Sequence, residues 1–331
     1  MIKIDGSYGE GGGQILRTAV SLSAVIGEKV SIRNIRKNRP NPGLKAQHLK
    51  SIETAALICG AEVEGLQPGS TEITFSPVEI RGLDAIIDIG TAGSISLLAQ
   101  CIMPAASASR EKFNLRIKGG TDVAWSPSTD YLKNVTLKAL SHMGYNASLE
   151  TIDRGYYPKG GGLARLTIEP AKLTGYDFFR KECDISGISH ASNLPENVAR
   201  KQAESAEMVL KEKGFDCNIV QENKKYLSTG SGINLWSGFM GSTALGKKGL
   251  TAEKVGTKAA NEIAASMLSG AAVDCHLADQ LIPFMGLAGD GSFTTTELTG
   301  HLETNIWVTE QFLDEKFDIK KADGLVTICV R

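Results

Sequence analysis

A histidine stands at a predicted junction between a strand and a helix. His301 follows the alternating, mostly β-branched segment 294–299, which predicts a strand, and it precedes apolar residues at helical spacing. The first backbone N–H groups of a helix have no intrahelical partner and attract anions. An imidazole there can meet a phosphate group. His301 is therefore the first candidate for a catalytic residue, although a lone histidine is more often structural.

A glycine-rich loop at 9–14 lies between the first predicted strand and the first predicted helix. Glycines let backbone N–H groups close on an anion, but a tight structural turn explains the loop equally well. The loop lacks the Gly-Lys-Ser/Thr of a Walker A motif and the parallel context of a dinucleotide fingerprint. A carboxylate in a phosphate-binding loop needs a metal ion or a proton to offset repulsion, so Glu10 is a candidate metal ligand.

Basic residues cluster after this loop, namely Arg17, Arg33, Arg36, Lys37, Arg39, Lys45 and Lys50. A guanidinium group can donate two parallel hydrogen bonds to phosphate oxygens. Arg17, Arg36 and Arg39 could therefore converge on one terminal phosphate. A solvated basic face is the alternative. A second polar group, His276, Asp279 and Gln280, shares one helix face at i, i+3 and i+4 and could hold a ribose or a base edge. Capping of a core helix is the alternative there.

The composition is that of an ordinary globular protein, with 331 residues, 42% hydrophobic and 22% charged. A net charge of -1 argues against a large non-specific nucleic-acid binder, so any nucleic acid must be gripped locally. The six scattered cysteines form no CxxC pair and predict reduced core residues. The N-terminus predicts a short strand, and the apolar stretch 95–108 is too short to span a bilayer. We expect a cytoplasmic protein.

An internal repeat predicts an α/β (α+β) fold of three repeated units, each with two helices on a four-stranded sheet. The units are expected at about 1–80 and 81–172, with a third unit split by an insert. The predicted large repeat domain therefore covers 1–183 and 274–331, and a small inserted α/β domain covers 184–273. An irregular extension of the third unit is the alternative to an insertion.

The chain resembles one family, the RNA 3'-terminal phosphate cyclases, in motifs that occur in family order from end to end. The matching residues are Asp5-Gly6, Gly9 to Arg17, Ile35-Arg36, Arg39, Pro42-Gly43-Leu44, Gln47-His48-Leu49, Gly93-Ser94, Gln100, Gly119 to Asp122, Tyr157-Pro158, Gly160-Gly161-Gly162, Leu277 to Leu281, His301 and Thr304-Asn305-Ile306. Only the insert matches weakly. The resemblance implies the three-unit fold with a small inserted domain.

The resemblance also implies an ATP-dependent enzyme that converts an RNA 3'-terminal phosphate to a 2',3'-cyclic phosphate through a histidyl-AMP intermediate. It implies His301 as the nucleophile and Glu10 as a ligand of Mg²⁺ or Mn²⁺. The implied ATP-binding residues are Gln100, Pro127, His276, Leu277, Ala278, Asp279 and Gln280. The implied RNA- or phosphate-binding residues are Arg17, Arg36, Arg39 and Gln47. The expected partners are RNA 3' ends bearing a terminal phosphate, with no membrane, and a homodimer is allowed.

Two departures from the family pattern concern the adenine pocket. His276 stands where the family often has tyrosine, and the insert lacks a clear counterpart of an aromatic residue that packs near adenine in some members. Three other functions remain open: a non-catalytic cyclase-like factor of RNA processing or ribosome assembly, an enolpyruvyl-transferase-like enzyme, and a general RNA-binding module. The presence of His301, Arg17 and Gln47 favours the enzyme over the non-catalytic relative.

Overall fold

The first repeated unit places the glycine-rich loop between a strand and a helix, as predicted. A computed structural model describes residues 1–179 and 184–331 of the chain. The unit consists of β1 (Ile2–Asp5), α1 (Gly13–Ile26), β2 (Val30–Arg33), α2 (Ala46–Cys59), β3 (Glu62–Glu64) and β4 (Ile73–Ser76). Its sheet has the order β1-β2-β4-β3, with β1 and β2 parallel and the other pairs antiparallel. The parallel pair directs both following segments to one sheet edge.

The second unit repeats this topology. It consists of β5 (Asp84–Asp88), α3 (Ile95–Ser107), β6 (Phe113–Gly119), α4 (Thr129–Tyr131), α5 (Leu137–His142), β7 (Ala147–Asp153) and β8 (Gly162–Ile168). Its sheet has the order β5-β6-β8-β7. Helices α4 and α5 belong to one continuous helical segment, whose centre, Leu132–Thr136, is π-helical. Gly144 ends that segment with a φ of 80°, a conformation that glycine adopts without strain.

A further four-stranded sheet lies between the second and third units in sequence. Its elements are β9 (Ile185–Ser192), α6 (Asn197–Glu212), β10 (Cys217–Lys224), β11 (Gly230–Ser237), β12 (Met240–Leu245) and α7 (Ala252–Leu268), and its order is β10-β9-β11-β12. The sequence analysis missed β12, because Gly238, with a φ of 57°, turns the chain directly into a hairpin. This sheet and its two helices share a separate hydrophobic cluster. The division of the chain into two domains stays a prediction.

The third unit carries His301. It consists of α8 (Cys275–Ala288), β13 (Ser292–Thr295), α9 (Gly300–Phe312), β14 (Phe317–Ala322) and β15 (Leu325–Val330). Here the described residues form three strands, β13-β15-β14, and only a single bridge between Asp177 and Ser292 extends the sheet. The strand predicted to continue to Thr299 ends at Thr295. The prediction was wrong beyond that point because Thr299 leaves the strand to cap α9.

The helices of the three units form one core. Helix α1 packs against α3 and α9, and α8 also packs against α9, so the starts of α1 and α9 are brought together. Among the five described cysteines, which are free, Cys59 and Cys101 are buried and the other three are partly exposed. Cys183 lies outside the described residues. Within 1–179 and 184–331, no helix combines the length and apolar character needed to cross a bilayer.

Candidate active site

His301 lies in the first turn of α9. The hydroxyl of Thr299, the residue before the helix, accepts a hydrogen bond from the Leu302 N–H at 3.1 Å. This cap satisfies one of the free N–H groups of the helix and fixes where the helix begins. The His301 side chain is 47% exposed. The imidazole therefore stands at the positive end of a helix and is accessible to a ligand.

Both ring nitrogens of His301 have polar neighbours. Nε2 lies 3.0 Å from a carboxylate oxygen of Glu10, and Nδ1 hydrogen-bonds to the side-chain oxygen of Gln14. The Gln14 amide nitrogen donates to the His301 carbonyl oxygen at 2.7 Å. That bond orients the amide, so its oxygen must accept from Nδ1. A neutral His301 consequently carries its proton on Nδ1 and has its lone pair on Nε2.

The electrostatic surroundings of His301 favour this neutral form. Partial burial lowers the pKa of His301, the nearby Arg17 and Arg39 guanidinium groups lower it further, and Glu10 opposes them. The net direction is downward, because burial and positive neighbours both disfavour the imidazolium. The ring is thus unprotonated over more of the physiological pH range than a free histidine.

The glycine-rich loop brings Glu10 to the ring. Gly9 has a φ of 53°, and a Cβ there would meet the Thr304 hydroxyl oxygen at 2.5 Å. A Cβ on Gly300 would likewise meet Glu10 Oε1 at 2.8 Å. The loop can approach α9 this closely because neither position has a side chain. Glu10 also lies 3.5 Å from Arg39 Nη2, so its carboxylate bridges an imidazole and a guanidinium group.

The predicted basic cluster divides into residues with different contacts. Arg36 donates to the carbonyl oxygens of Asn41 and Gly43 at 2.8 and 2.9 Å, so it holds its own loop together. Arg39 faces Glu10, as described above. Burial lowers the pKa of Arg17, which lines a small cavity beside Asp279. Arg17 and Arg39 lie near His301, whereas Arg36 lies near His48 and has much of its donor capacity engaged within the loop.

Gln47 and His48 occupy the start of α2, next to this basic cluster. The side-chain oxygen of Gln47 accepts from the Ser94 N–H at 3.3 Å, while its buried amide nitrogen has no partner among the described residues. His48 Nδ1 accepts from the Lys45 N–H at 3.1 Å. Burial lowers the pKa of His48 to about 3, and Arg17 and the other nearby cations add to this effect. His48 was not predicted as a site residue, although it stood beside Gln47 in the sequence.

The predicted nucleotide-binding residues are only partly brought together. One small cavity is lined by Arg17, Gln100, Asp279 and Gln280, among others. His276 is exposed, Leu277 and Ala278 have their side chains in the core, and Pro127 does not line this cavity. The Pro127 carbonyl oxygen instead accepts a hydrogen bond from Ser96.

Asp279 is the acidic residue among those that line this cavity, and its pKa is shifted. Burial raises the pKa of Asp279 to about 7, against the opposing effect of Arg17. Its carboxylate lies 3.8 Å from Nδ1 of His301, and its carbonyl oxygen accepts from the Asn305 amide at 2.7 Å. The start of α8 is capped by Asp274, so capping explains that residue but not Asp279.

The sequence analysis also missed a buried polar cluster, which we name the Arg154 network. It comprises Asp122, Asp130, Arg154, His190, Glu222 and Asn234. Carboxylate and imidazole atoms of Asp122, Asp130 and His190 lie close enough together to hold a metal ion. Arg154, however, donates to Asp122 at 3.1 Å and Asp130 at 2.7 Å, so the guanidinium group already supplies the positive charge. The network joins the second unit to the sheet of β9–β12.

Comparison with known proteins agrees with the motifs at this site. The sequence model of the RNA 3'-terminal phosphate cyclase family matches residues 8–319, which include the glycine-rich loop and His301. The chain belongs to the RNA 3'-terminal phosphate cyclase family. It is similar over its whole length to proteins named RNA 3'-terminal phosphate cyclase from Methanosarcina barkeri (58% identical) and Methanosarcina mazei (57%), in each case covering 100% of both chains. A cyclase of Pyrococcus furiosus is 47% identical over 98% of this chain and 96% of its own.

Family membership makes this chain an enzyme of the cyclase type. The order of the cyclase motifs is thereby explained, and two of the recognised segments, the glycine-rich loop at 9–14 and residues 277–281, reach His301 in the structure. Glu10, Gln14 and Asp279 come from two other helices and a loop, and all three reach the ring. The polar side chains around His301 thus come from the first and third units.

Proposed function

We propose that this protein uses ATP to convert the 3'-terminal phosphate of an RNA to a 2',3'-cyclic phosphate, with His301 as the nucleophile. The observation that carries the proposal is the tautomer imposed by Gln14. Because Gln14 accepts from Nδ1, the Nε2 lone pair of the neutral ring is available to attack a phosphorus atom. Family membership supports the cyclisation itself, and the lowered pKa of His301 supports nucleophilic attack near neutral pH.

The proposed reaction has three steps. Nε2 attacks the α-phosphorus of ATP, and the bond to the departing pyrophosphate breaks. An oxygen of the RNA 3'-phosphate then attacks the same phosphorus, and the bond to His301 breaks, which transfers AMP to the RNA. Finally the neighbouring 2'-hydroxyl attacks the activated 3'-phosphorus and loses its proton, and AMP leaves with the bridging oxygen. The start of α9 stabilises negative charge on the phosphoryl group during the first two steps.

The residues around His301 supply the charges that this route requires. Arg17 and Arg39 lie near the ring, and Gln47 has a buried amide nitrogen without a partner among the described residues, so these groups are suited to phosphate oxygens. Asp279, with Gln100 and Gln280, would contact the nucleotide from the small cavity that these residues line.

A divalent metal ion fits at Glu10. Mg²⁺ is commonly held by one or two carboxylates together with substrate phosphates, and Glu10 places a carboxylate beside Nε2. Bound there, Mg²⁺ or Mn²⁺ would offset the charge of the triphosphate. Engagement of Glu10 by a cation would also remove its attraction for a proton on Nε2, which keeps the lone pair of His301 free.

A labelling experiment tests the proposal. The protein is incubated with ATP labelled at the α-phosphate and Mg²⁺ and then denatured, with His301→Ala in parallel. We expect acid-labile, base-stable label on the parent and none on the variant. His142→Ala, which changes a histidine outside the site, serves as the control and should keep its label. Absence of label from the parent, together with absence of cyclised RNA, would instead indicate a non-catalytic relative of the enzyme.

A further inference from the structure

A fully exposed tryptophan stands on a loop of the second unit. Trp125 is 99% exposed and has a φ of 67°. A bulky residue in the left-handed region is an outlier, and strain of this kind tends to occur at binding sites and active sites. The indole buries no apolar surface in the fold, because it packs against no other side chain. A ligand that covers the ring would account for both features.

Trp125 belongs to a surface on which three loops meet, and we name residues 90–93, 120–127 and 155–161 the three-loop surface. A Cβ on Gly120 would lie 2.5 Å from the Ala92 carbonyl oxygen and 2.5 Å from Val123 Cγ1, and a Cβ on Gly160 would lie 2.8 Å from Ala92 Cα. The three backbones are therefore in close contact. Tyr157, 77% exposed, and the exposed Lys159 project from the third loop.

This surface lies close to Gln47 through the start of α3, since a Cβ on Gly93 would lie 3.6 Å from Gln47 Cβ. Gln47 accepts from the Ser94 N–H, Ser94 and Ser96 share a hydrogen bond of 2.9 Å, and Ser96 donates to the Pro127 carbonyl oxygen. Pro127 is two residues from Trp125. An RNA strand whose terminal phosphate lies near Gln47 would thus meet the three-loop surface within a short distance.

We propose that Trp125, assisted by Tyr157 and Lys159, forms a stacking surface for the nucleotides immediately 5' of the RNA terminal phosphate. This inference rests on the proposed function, because it needs an RNA end at Gln47 and His301. Aromatic rings stack on the bases of single strands with little dependence on sequence, and a lysine beside them attracts the backbone. Binding of RNA through a few local contacts is consistent with a net charge of -1, which provides no general attraction for the RNA backbone.

Binding of two ligands of different length tests the inference. The full-length protein is titrated with a nucleoside 3'-monophosphate and with a single-stranded hexanucleotide that ends in a 3'-phosphate. Only the hexanucleotide reaches past the terminal nucleotide. We expect Trp125→Ala to reduce the ratio of hexanucleotide affinity to mononucleotide affinity about tenfold, and Trp125→Phe to restore most of it. Leu268→Ala, which removes an apolar side chain of 65% exposure elsewhere, should leave the ratio unchanged.

Three outcomes would overturn the inference. In the first, Trp125→Ala changes neither affinity. In the second, it lowers the affinities for both ligands equally, which would place the indole at the nucleotide site or in the fold. In the third, the parent self-associates in sedimentation, Trp125→Ala abolishes this and the ratio stays constant, so a second copy of the chain covers the ring. Labelling by ATP is measured separately. Suppose that Trp125→Ala lowers the affinity ratio as expected but the parent takes up no label. That result would contradict the proposed function and not this inference.

Discussion

Nε2 of His301 lies 3.0 Å from a carboxylate oxygen of Glu10. Because the same carboxylate also lies 3.5 Å from Arg39, the charge that faces the nucleophile depends on which cation holds Glu10. With Glu10 against the ring, a proton on Nε2 is favoured and the lone pair is blocked. With Glu10 held by another cation, Nε2 is free. The contact therefore links the acid-base state of His301 to the position of a single side chain.

The first prediction concerns the pKa of His301. Glu10→Gln removes the group that raises this pKa, whereas Arg39→Gln removes a group that lowers it. We expect the His301 pKa to fall in Glu10→Gln and to rise in Arg39→Gln, because a nearby negative charge favours the imidazolium and a nearby positive charge disfavours it. An NMR titration of the imidazole signals, assigned with His301→Ala, measures both. Shifts in the same direction for the two variants would contradict this arrangement.

The second prediction separates the position of Glu10 from the stability of the fold. Gly300→Ala adds a Cβ that meets Glu10 Oε1 at 2.8 Å. Alanine is, however, more favourable than glycine in a helix by about 1 kcal/mol. Since the Glu10 side chain is 40% exposed and can move, we expect unchanged or slightly higher stability and a His301 pKa lowered as in Glu10→Gln. The same substitution made in Glu10→Gln should produce no further pKa shift. An additive shift would show that Gly300 acts on His301 by another route.

The third prediction follows from the buried imidazole of His48, whose pKa is lowered to about 3 from an unfolded value of 6.5. The unfolded chain takes up this proton first as the pH falls, so stability is retained above about pH 6.5 and lost progressively toward pH 3. We expect this group to remove about 2 kcal/mol from the free energy of unfolding between pH 6.5 and pH 5. Urea titrations of the parent and of His48→Asn, whose amide oxygen can accept from Lys45, measure it. Parallel pH profiles would show that His48 is protonated in the folded protein.

The fourth prediction concerns the Arg154 network. Arg154→Met leaves three carboxylates around an uncharged side chain, and loss of one partner from a buried ion pair costs about 3–5 kcal/mol. The matched control is Arg165→Met on β8. Arg165 is 43% exposed and pairs with Glu150 at the surface, so we expect a loss below about 1 kcal/mol. Thermal unfolding compares the two, and equal losses would mean that the network contributes no more than a surface pair.

Much of the fold could be predicted from sequence because its elements have strong local signals. Helices α3 and α7 are examples, since apolar periodicity marks each helix and a serine or threonine cap marks where it begins. Strand β12 was missed because a tight hairpin leaves almost no polar gap between β11 and β12. The strand before His301 was predicted too long because β-branched residues occur both in β13 and in the cap that follows it.

The site residues also divide into those that the sequence predicted and those that it did not. Glu10 and His301 were predicted as site residues from their residue types and local settings, whereas Gln14 and His48 were not, because their contacts are with residues in other elements. Gln14 lies 287 positions from His301 in the chain, and no spacing rule connects them. The Arg154 network was missed for the same reason, since its members are scattered over β9–β11 and the second unit.

By itself the sequence determined the family, the repeated α/β units and the residue types able to do phosphoryl chemistry, because these are encoded in local periodicity and in motif order. Only the tertiary structure decided which nitrogen of a neutral His301 carries the lone pair, that Glu10 faces it, and that the pKa values of His48 and Asp279 are shifted in opposite directions. Tautomers and shifted pKa values depend on distance and burial. Those quantities exist only once α1, α8 and α9 have packed together.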